Sequence, residues 1–273
     1  MNNWRLLYTS PSSGAWNMAV DESILEHIHR GESQPTLRLY AWEPACLSLG
    51  HAQSFADVDM ERVKAHGWEV VRRVTGGRAI LHTDELTYSV TGSAKEPILS
   101  GSILESYNRI AQALLFAIRE LGLPVEIKEL VPSGEPVTQN LNPVCFEVPS
   151  TYEITVDGKK LIGSAQARKK EGVLQHGSLP LTGDLARICQ ALVFKDETAR
   201  ENAAQRLLAR ATTVESVPGV ETDWETAAQA FVKGFEAQLG IRFQREEMSR
   251  SESERVEELV KEKYANTAWT ERI

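Results

Sequence analysis

The stretch from Tyr152 to Ser164 contains the clearest β-hairpin signal in the chain. A strand-like run, Tyr152–Val156, is followed by Asp157-Gly158 and then by a second run over residues 159–164. A two-residue type I′ turn needs positive φ at both central positions, and Asp-Gly is one of the pairs that satisfies this need. Because such a turn joins antiparallel strands, we predict a largely antiparallel sheet.

The rest of the chain mixes helices and strands before it becomes mainly helical. This order of elements predicts the α+β class. Beyond Pro180 helices dominate, so residues from about 181 to 273 form a helical C-terminal third. Apolar spacing predicts helices over 16–28 and 103–118, and strands at 36–40, 45–49, 68–73, 86–91 and 173–175. A high content of Pro, Ser, Gly and Asn predicts a loop over 131–143. Capping boxes at Thr222/Glu225 and Ser251/Glu254 predict the starts of two further helices.

The bulk composition excludes several classes of protein. A chain of 273 residues with 42% hydrophobic residues can bury a substantial core. Its net charge of −8 argues against nucleic-acid binding, which favours a basic surface. Three cysteines without a CxxC pair fit a reducing cytoplasm, and no apolar run is long enough to span a bilayer. We therefore expect a cytoplasmic protein without membrane association. A monomer is a plausible oligomeric state, although the sequence does not determine it.

Cys145 is the candidate nucleophile. It leaves a polar, proline-containing loop and enters a strand, whereas Cys46 and Cys189 lie in apolar segments typical of buried thiols. Lys160 follows within one hairpin length, and a nearby ammonium lowers the pKa of a thiol and so favours the nucleophilic thiolate. The hairpin register places Lys160 opposite Thr155, so contact with Cys145 requires the preceding loop to fold over the hairpin. On composition alone, a structural role for Cys145 stays open.

Three short segments are candidate ligand contacts because they combine small residues with hydrogen-bond donors. A Gly-Gly turn lets the backbone approach a ligand closely, and small residues within a strand likewise leave room for one. Each segment has a structural alternative: a tight hairpin with solvated arginines, a β-bulge, and a structural histidine. The candidates are Arg73, Thr75, Gly76, Gly77 and His82, then Gly163, Ser164 and Ala165, and finally His176.

Several cofactor and metal motifs are missing from the sequence. It contains no GxxxxGK[ST], GxGxxG, HExxH or GxSxG pattern. His27 and His29 are two residues apart, which is the wrong spacing for one helix face. The residues therefore indicate neither a cofactor nor a metal site.

The order of the motifs resembles that of one superfamily. Arg-Arg-x-Thr-Gly-Gly-x-x-x-x-His (72–82), Lys-Lys-x-x-Gly-Ser-Ala (159–165) and Leu-x-His-Gly-Ser-Leu (174–179) are similar to motifs of the lipoate–protein ligase, octanoyltransferase and biotin ligase superfamily. The segments 17–22 and 263–269 extend the likeness to nearly the whole chain. The resemblance implies a mixed, mostly antiparallel sheet flanked by helices, as in class II synthetase and biotin ligase catalytic domains.

Two features favour the LipM-type octanoyltransferase branch of Gram-positive bacteria. Arg78 replaces the third glycine that ATP-dependent lipoate ligases usually carry, and those ligases lack the Val-Cys-Phe-x-x-Pro-Ser setting of Cys145. The resemblance implies one acyltransferase catalytic domain over residues 1–273, with Cys145 as the acyl-carrying nucleophile and Lys160 lowering its pKa. It implies octanoyl-acyl carrier protein as donor, a lipoyl domain such as the glycine-cleavage H protein as acceptor, and no cofactor.

The same resemblance suggests roles for the other candidates. The Arg73–Gly77 segment would form one wall of an acyl tunnel. Gly163, Ser164 and Ala165 would form the other wall and offer backbone oxyanion donors. His82 and His176 would lie near the pocket, and its apolar lining would include Val74, Leu81 and Ile162.

Three other functions remain open at this stage. An ATP-dependent lipoate–protein ligase would use Lys160 to contact an acyl-adenylate. An amidotransferase would move octanoyl between lipoyl domains. A non-catalytic acyl-binding or lipoyl-domain-binding protein would use the same scaffold without turnover.

Overall fold

The computed structural model describes residues 2–129 and 152–273, and eight of the strands in these ranges form the main sheet. They are β1 (Asn2–Tyr8), β2 (Thr36–Tyr40), β6 (Glu85–Gly92), β7 (Val125–Glu129), β8 (Tyr152–Val156), β9 (Lys159–Lys169), β10 (Gly172–Pro180) and β11 (Ile241–Arg245). Their order is β11-β1-β2-β6-β10-β9-β8-β7. β1 is parallel to β2 and β11, and the other neighbouring pairs are antiparallel.

A smaller sheet and a set of helices complete the described fold. The smaller sheet contains β3 (Cys46–Leu49), β4 (Glu69–Arg72) and β5 (Ile80–His82) in the order β4-β3-β5. The helices are α1 (Gly14–Arg30), α2 (Met60–Ala65), α3 (Ile103–Glu120), α4 (Glu197–Arg210), α5 (Trp224–Leu239), α6 (Arg250–Leu259) and α7 (Thr267–Thr270), with 3₁₀ segments at Phe55–Asp57 and Leu185–Ala191 and a π turn at Val260–Tyr264.

The main sheet is covered on both faces. Helices α3 and α5 pack on one face, and α1 with α6 packs on the other. A third apolar cluster joins the smaller sheet to α2, α4 and the Leu185–Ala191 segment. The predicted α+β fold, a mostly antiparallel sheet flanked by helices, is therefore confirmed.

Side-chain alternation along β6 determines which face of the sheet can carry chemistry. Leu86, Tyr88 and Val90 pack into the core under α3 and α5. Thr87 and Ser89 point to the opposite face, toward α1 and the smaller sheet. That second face is the one that bears buried polar side chains.

The hairpin prediction is confirmed in detail. Asp157 and Gly158 have φ values of 50° and 74°, as a type I′ turn requires. Thr155 lies opposite Lys160, as the register predicted. Strands β9 and β10 extend well beyond the predicted limits, and β1, β5, β7 and β11 were not predicted.

Both predicted capping boxes are wrong, each by one or two residues. Asp223, not Thr222, caps α5 by accepting a hydrogen bond from the Thr226 N–H. For α6 the box is Ser249 with Glu252. The Glu252 carboxylate is buried and accepts two hydrogen bonds from the Arg5 guanidinium of β1. This tertiary ion pair explains why α6 starts at the Ser249/Glu252 box rather than at the equally good Ser251/Glu254 box.

Two sequence predictions lie outside the described residues, namely the loop over 131–143 and the candidate nucleophile Cys145. In the described ranges, no helix combines the length and apolar character needed to cross a bilayer.

Candidate functional site

A cleft lies between the main sheet and the smaller sheet. β9 and β10 supply one wall, and the loop between β4 and β5 with β5 itself supplies the other. Met18 of α1 and the aromatic rings of Tyr40 and Trp42 contribute apolar surface. Of the predicted site residues, those that line the cleft are Arg73, Gly77, His82, Gly163, Ser164, Ala165 and His176.

Small residues on β9 leave room for the cleft. Gly163 lies opposite Ser178 and Ala165 opposite His176 on β10, so these pairs share the cleft face of the sheet. Ser164 has its side chain on the other face, where its hydroxyl lies 2.8 Å from the Tyr88 hydroxyl. Ser164 therefore offers its backbone, rather than its hydroxyl, to the cleft.

A β-bulge turns Lys160 toward the cleft face of the sheet. Ile154 lies opposite Ile162, but the next residue, Thr155, lies opposite Lys160, so the register shifts by one between these pairs. Ile154 and Ile162 pack in the α3/α5 core, so Lys160 lies on the opposite face, which also bears Gly163. Without the bulge, Lys160 would share a face with Ile162. Lys160 is only 5% exposed, which is unusual for a lysine.

The Gly-Gly loop is held by Arg73. Its guanidinium donates to the Ser48 carbonyl (2.8 Å), the Thr75 hydroxyl (3.2 Å) and the carbonyls of Gly76 and Arg78 (2.8 Å each). The side chain is 3% exposed. Arg73 thus holds the Gly-Gly loop in one conformation through these hydrogen bonds. Thr75 and Gly76 lie in this loop, next to the cleft-lining residue Gly77.

Gly50 marks a close approach that sequence reasoning missed. A Cβ atom at this position would lie 2.0 Å from the carbonyl oxygen of Gly77.

We expect Gly50→Ala to displace the Gly-Gly loop and to lower both acyl transfer and thermal stability. Gly76→Ala is the matched control for stability, because nothing lies within 4 Å of its added Cβ. Equal melting temperatures for the two variants would contradict the close-packing argument.

His176 and Asp21 form a buried polar network behind the loop. The Nε2 atom of His176 lies 2.6 Å from the Thr75 hydroxyl, and its Nδ1 atom lies 3.8 Å from the Asp21 carboxylate. Asp21 accepts hydrogen bonds from Arg38 and Ser89, each at 2.8 Å. Burial lowers the pKa of His176 more than the Asp21 charge raises it, so the ring is neutral at neutral pH. A neutral imidazole can orient the Thr75 hydroxyl without adding a positive charge to the cleft.

The Asp21 carboxylate predicts a pH-dependent contribution to stability. Burial alone would raise the pKa of Asp21, but Arg38 and His176 outweigh it and hold the pKa below its ordinary value of 3.8. A depressed carboxyl pKa stabilises the folded state above that value, and the contribution disappears as the pH falls through the folded-state pKa. We expect Asp21→Asn to lower the free energy of unfolding by about 3 kcal/mol at pH 7, because it leaves the buried Arg38 charge unpaired.

Denaturant unfolding of both proteins between pH 7 and pH 2.5 measures this effect. The difference in the free energy of unfolding between wild type and Asp21→Asn should become smaller below about pH 4, because the wild-type carboxylate becomes protonated. Exposed Glu247 provides the control, since Glu247→Gln should change stability by less than about 0.5 kcal/mol. A difference in unfolding free energy that does not change with pH would contradict the stabilising role of the charged Asp21 carboxylate.

His82 belongs to a second network that fixes the opposite side of the cleft. Its Nδ1 lies 2.7 Å from Glu85 and its Nε2 lies 2.7 Å from the Ser48 hydroxyl. The ring stacks on Trp42 with a centroid distance of 3.9 Å. Burial would raise the pKa of Glu85, but His82 and hydrogen bonds that include one from the Ser178 hydroxyl (2.7 Å) lower it. His82 is therefore a fixed part of the wall.

The apolar lining differs from the sequence prediction. Val74, Leu81 and Ile162 pack into the hydrophobic clusters, so that expectation is corrected. Within β5 it is Ile80 and His82 that line the cleft. Alternation explains the difference, because Leu81 points to the face opposite its two neighbours.

Sequence reasoning also missed the acids that support the two histidines. Asp21 follows Val20 in the apolar stripe of α1, and an ionisable residue beside such a stripe was the available signal. Glu85 lies three residues after His82, but an exposed strand end would give the same pattern. Only the packed structure shows that both carboxylates are buried beside the cleft.

The family of the chain follows from comparison with known proteins. Residues 13–236 match the family described as the lipoyl protein ligase A/B catalytic domain, and the chain belongs to this family. The family resemblance predicted from the sequence motifs is confirmed.

Named relatives place the chain more closely. It is 39% identical over 274 residues to octanoyltransferase LipM of Exiguobacterium sibiricum, with 98% of both chains covered, and 39% identical to that of Kyrpidia tusciae, with 100% of both covered. It is 40% identical to octanoyltransferase LipM of Moorella thermoacetica, with 98% of both covered. The chain is accordingly an acyltransferase of protein lipoylation, as predicted.

Solved structures confirm the fold. An archaeal bipartite lipoate protein ligase from Thermoplasma acidophilum, studied with its E2 lipoyl domain, matches with a TM-score of 0.81 at 24% identity, covering 99% of this chain and 97% of that one. A lipoate-protein ligase A bound with ATP matches with a TM-score of 0.78 at 25% identity, covering 99% of both chains.

Proposed function

We propose that the enzyme transfers octanoyl from octanoyl-acyl carrier protein to a specific lysine of a lipoyl domain, such as the glycine-cleavage H protein, through a thioester at Cys145. The observation that carries the proposal is the similarity, over nearly the full length of both chains, to proteins named octanoyltransferase. A reducing cytoplasm would keep the Cys145 thiol free for this role.

The reaction has two balanced steps. The Cys145 thiolate attacks the donor thioester, the new enzyme thioester forms, and the carrier-protein thiolate leaves. The acceptor amine then attacks the enzyme thioester, an amide forms, and the Cys145 sulfur leaves while the amine loses a proton. Because an amide is more stable than a thioester, the second step needs no ATP. Two steps also let two large protein substrates bind one after the other.

Lys160 is the proposed source of positive charge beside the thiol. The bulge in β9 gives it the same face as Gly163, which lines the cleft. As an ammonium it would stabilise the Cys145 thiolate, and it would then be near enough to the attacking amine to relay a proton.

The cleft walls supply the proposed acyl-binding surface. Met18, Trp42 and Ile80 offer apolar contact to the chain. Among the described residues, pairing of β9 with β8 ends at Ile162, and backbone N–H groups from Gly163 to Ala165 are the proposed donors to the thioester oxygen. The Arg73-ordered loop would form the facing wall near the carbonyl end.

The alternative is ATP-dependent lipoate ligation, which the structural match to an ATP-bound lipoate-protein ligase A favours. The two functions are distinguished by incubating the protein with octanoyl-carrier protein and a lipoyl domain in the absence of ATP. We expect the lipoyl domain to gain an octanoyl group, detected by its intact mass. Pyrophosphate release from ATP and lipoate, without transfer from the carrier protein, would instead establish the ligase.

A further inference from the structure

A hydrogen-bonded pair on the face of the sheet opposite the cleft reaches the cleft wall from behind. Tyr88 of β6 lies opposite Gly177 of β10, and Gly177 lies opposite Ser164 of β9. The Tyr88 and Ser164 hydroxyl oxygens are 2.8 Å apart. A Cβ atom added to Gly177 would lie 2.5 Å from the Ser164 Oγ and 2.7 Å from a carbon of the Tyr88 ring. The missing side chain at Gly177 therefore lets Tyr88 cross the middle strand and contact Ser164.

The hydrophobic core holds the Tyr88 ring in place. The side chain is fully buried, and its ring centroid lies 5.9 Å from that of Phe231 and 6.3 Å from that of Phe235, both on α5. Burial raises the pKa of the Tyr88 phenol, so the hydroxyl stays protonated at neutral pH. Tyr88 thus presents a neutral hydrogen-bond donor at a fixed position behind β9.

A chain of side-chain donors determines the direction of the hydrogen bond to Ser164. The Arg168 Nε atom, which can only donate, lies 3.2 Å from the Gln166 Oε1 atom. The Gln166 Nε2 atom then donates to the Gln175 Oε1 atom (2.9 Å), and the Gln175 Nε2 atom donates to the Tyr88 hydroxyl (3.0 Å). Because Tyr88 accepts from Gln175, its own proton is available to Ser164.

Ser164 is the member of the cleft-wall segment 163–165 whose side chain can form a hydrogen bond. Gly163 carries only a hydrogen at this position and Ala165 carries only a methyl group. A glycine also increases the number of conformations open to the backbone. The bond from Tyr88 to Ser164 therefore restricts the segment whose N–H groups are the proposed donors to the thioester oxygen. Such donors are effective because they need not reorient when the negative charge develops.

We propose that Tyr88 is a positioning residue for acyl transfer, which acts through Ser164 to hold the N–H groups of segment 163–165 at the oxygen of the tetrahedral intermediate. The inference deepens the proposed octanoyl transfer and rests on it. In the first step the Cys145 sulfur attacks the carbonyl carbon, and in the second the acceptor nitrogen attacks the same carbon. Each attack places negative charge on the same oxygen, and the carbonyl forms again when a sulfur leaves. A displaced segment should therefore slow both steps by a similar factor.

The kinetics of Tyr88→Phe, which removes the hydroxyl and keeps the ring, test the proposal. In a ping-pong reaction, kcat/KM for octanoyl-carrier protein reports the first step and kcat/KM for the lipoyl domain reports the second. We expect both values to fall about tenfold, because misplaced donors stabilise the transition state less. Tyr8→Phe removes the same atom from a half-buried tyrosine of β1 and should change both values less than about twofold. A fall in only one of the values, or in neither, would overturn the proposal.

Removing the other hydroxyl determines whether the two side chains act through one hydrogen bond. Ser164→Ala should lower both kcat/KM values about as much as Tyr88→Phe does. The double variant should then lose little more than either single variant, because the second substitution has no remaining bond to break. Losses that multiply in the double variant would show that the two hydroxyls act independently, and would overturn the proposal.

Amide hydrogen exchange distinguishes failure of this proposal from failure of the proposed function, because it needs no turnover. The amides of residues 163–165 should exchange about tenfold faster in Tyr88→Phe than in wild type, while those of β1 should exchange at the wild-type rate. Unchanged exchange at 163–165, or an equal increase in β1, would overturn the positioning role. A wild type that transfers no octanoyl would contradict the proposed function, and the exchange result would still decide whether Tyr88 holds the segment.

Discussion

Replacing Cys145 with alanine should abolish octanoyl transfer. Removing a covalent nucleophile typically costs three or more orders of magnitude in kcat, so we expect a loss of at least about a thousandfold. Transfer is measured as octanoylated lipoyl domain per minute from octanoyl-carrier protein. Cys145→Ser should be almost as inactive, because a serine hydroxyl has a far higher pKa than a thiol and a neighbouring ammonium alone does not convert it to a nucleophilic alkoxide.

Cys46 provides the matched control for this prediction. Burial, reinforced by the charge of Glu69, raises the pKa of the Cys46 thiol well above its ordinary value, so this sulfur is unreactive. Cys46→Ala should therefore keep most of the wild-type activity. Full transfer by Cys145→Ala, or a loss confined to Cys46→Ala, would contradict the covalent mechanism.

Replacing Lys160 with methionine should produce the second large loss. Methionine keeps much of the length and apolar stem but removes the ammonium, so the Cys145 thiol should have a higher pKa and a smaller thiolate fraction at neutral pH. We expect kcat/KM to fall by about two to three orders of magnitude. The rate of Cys145 alkylation at pH 7 should fall in parallel, and its pH profile should shift to higher pH.

Lys159 is a nearly ideal control because it is the neighbouring lysine on the same strand. Its ammonium donates to the Leu208 carbonyl (2.8 Å), and its partner across the hairpin is Val156. Lys159→Met should leave both transfer and alkylation close to wild type. An unchanged alkylation profile in Lys160→Met would remove the proposed effect on the thiol pKa, whatever happens to turnover.

The sequence predicted local structure better than long-range structure, for physical reasons. The Asp157-Gly158 turn is encoded by two residues whose backbone preferences match it, so the register opposite Lys160 followed correctly. The parallel pairing of β1 with β11 joins strands that are separated by almost the whole chain. No local preference encodes such a pairing, which depends on the packing of the complete core.

The candidate site shows the same division. The glycines and histidines that line the cleft stand in recognisable motifs, but the direction of each side chain depends on strand register. The bulge beside Leu161 places Lys160 on the same face of the sheet as Gly163, and no local sequence pattern predicts this bulge. Ser164 illustrates the converse, because its hydroxyl turns away from the cleft to Tyr88 although its neighbours Gly163 and Ala165 face inward.

Trapping the loaded enzyme tests the central claim most directly. Wild-type protein is mixed with octanoyl-carrier protein without acceptor, quenched in acid, digested and analysed by mass spectrometry. We expect one octanoyl group per chain on the Cys145 peptide, and its disappearance when a lipoyl domain is added before the quench. Rapid turnover by an enzyme that never carries this group on Cys145, or carries it on another residue, would contradict the thioester mechanism.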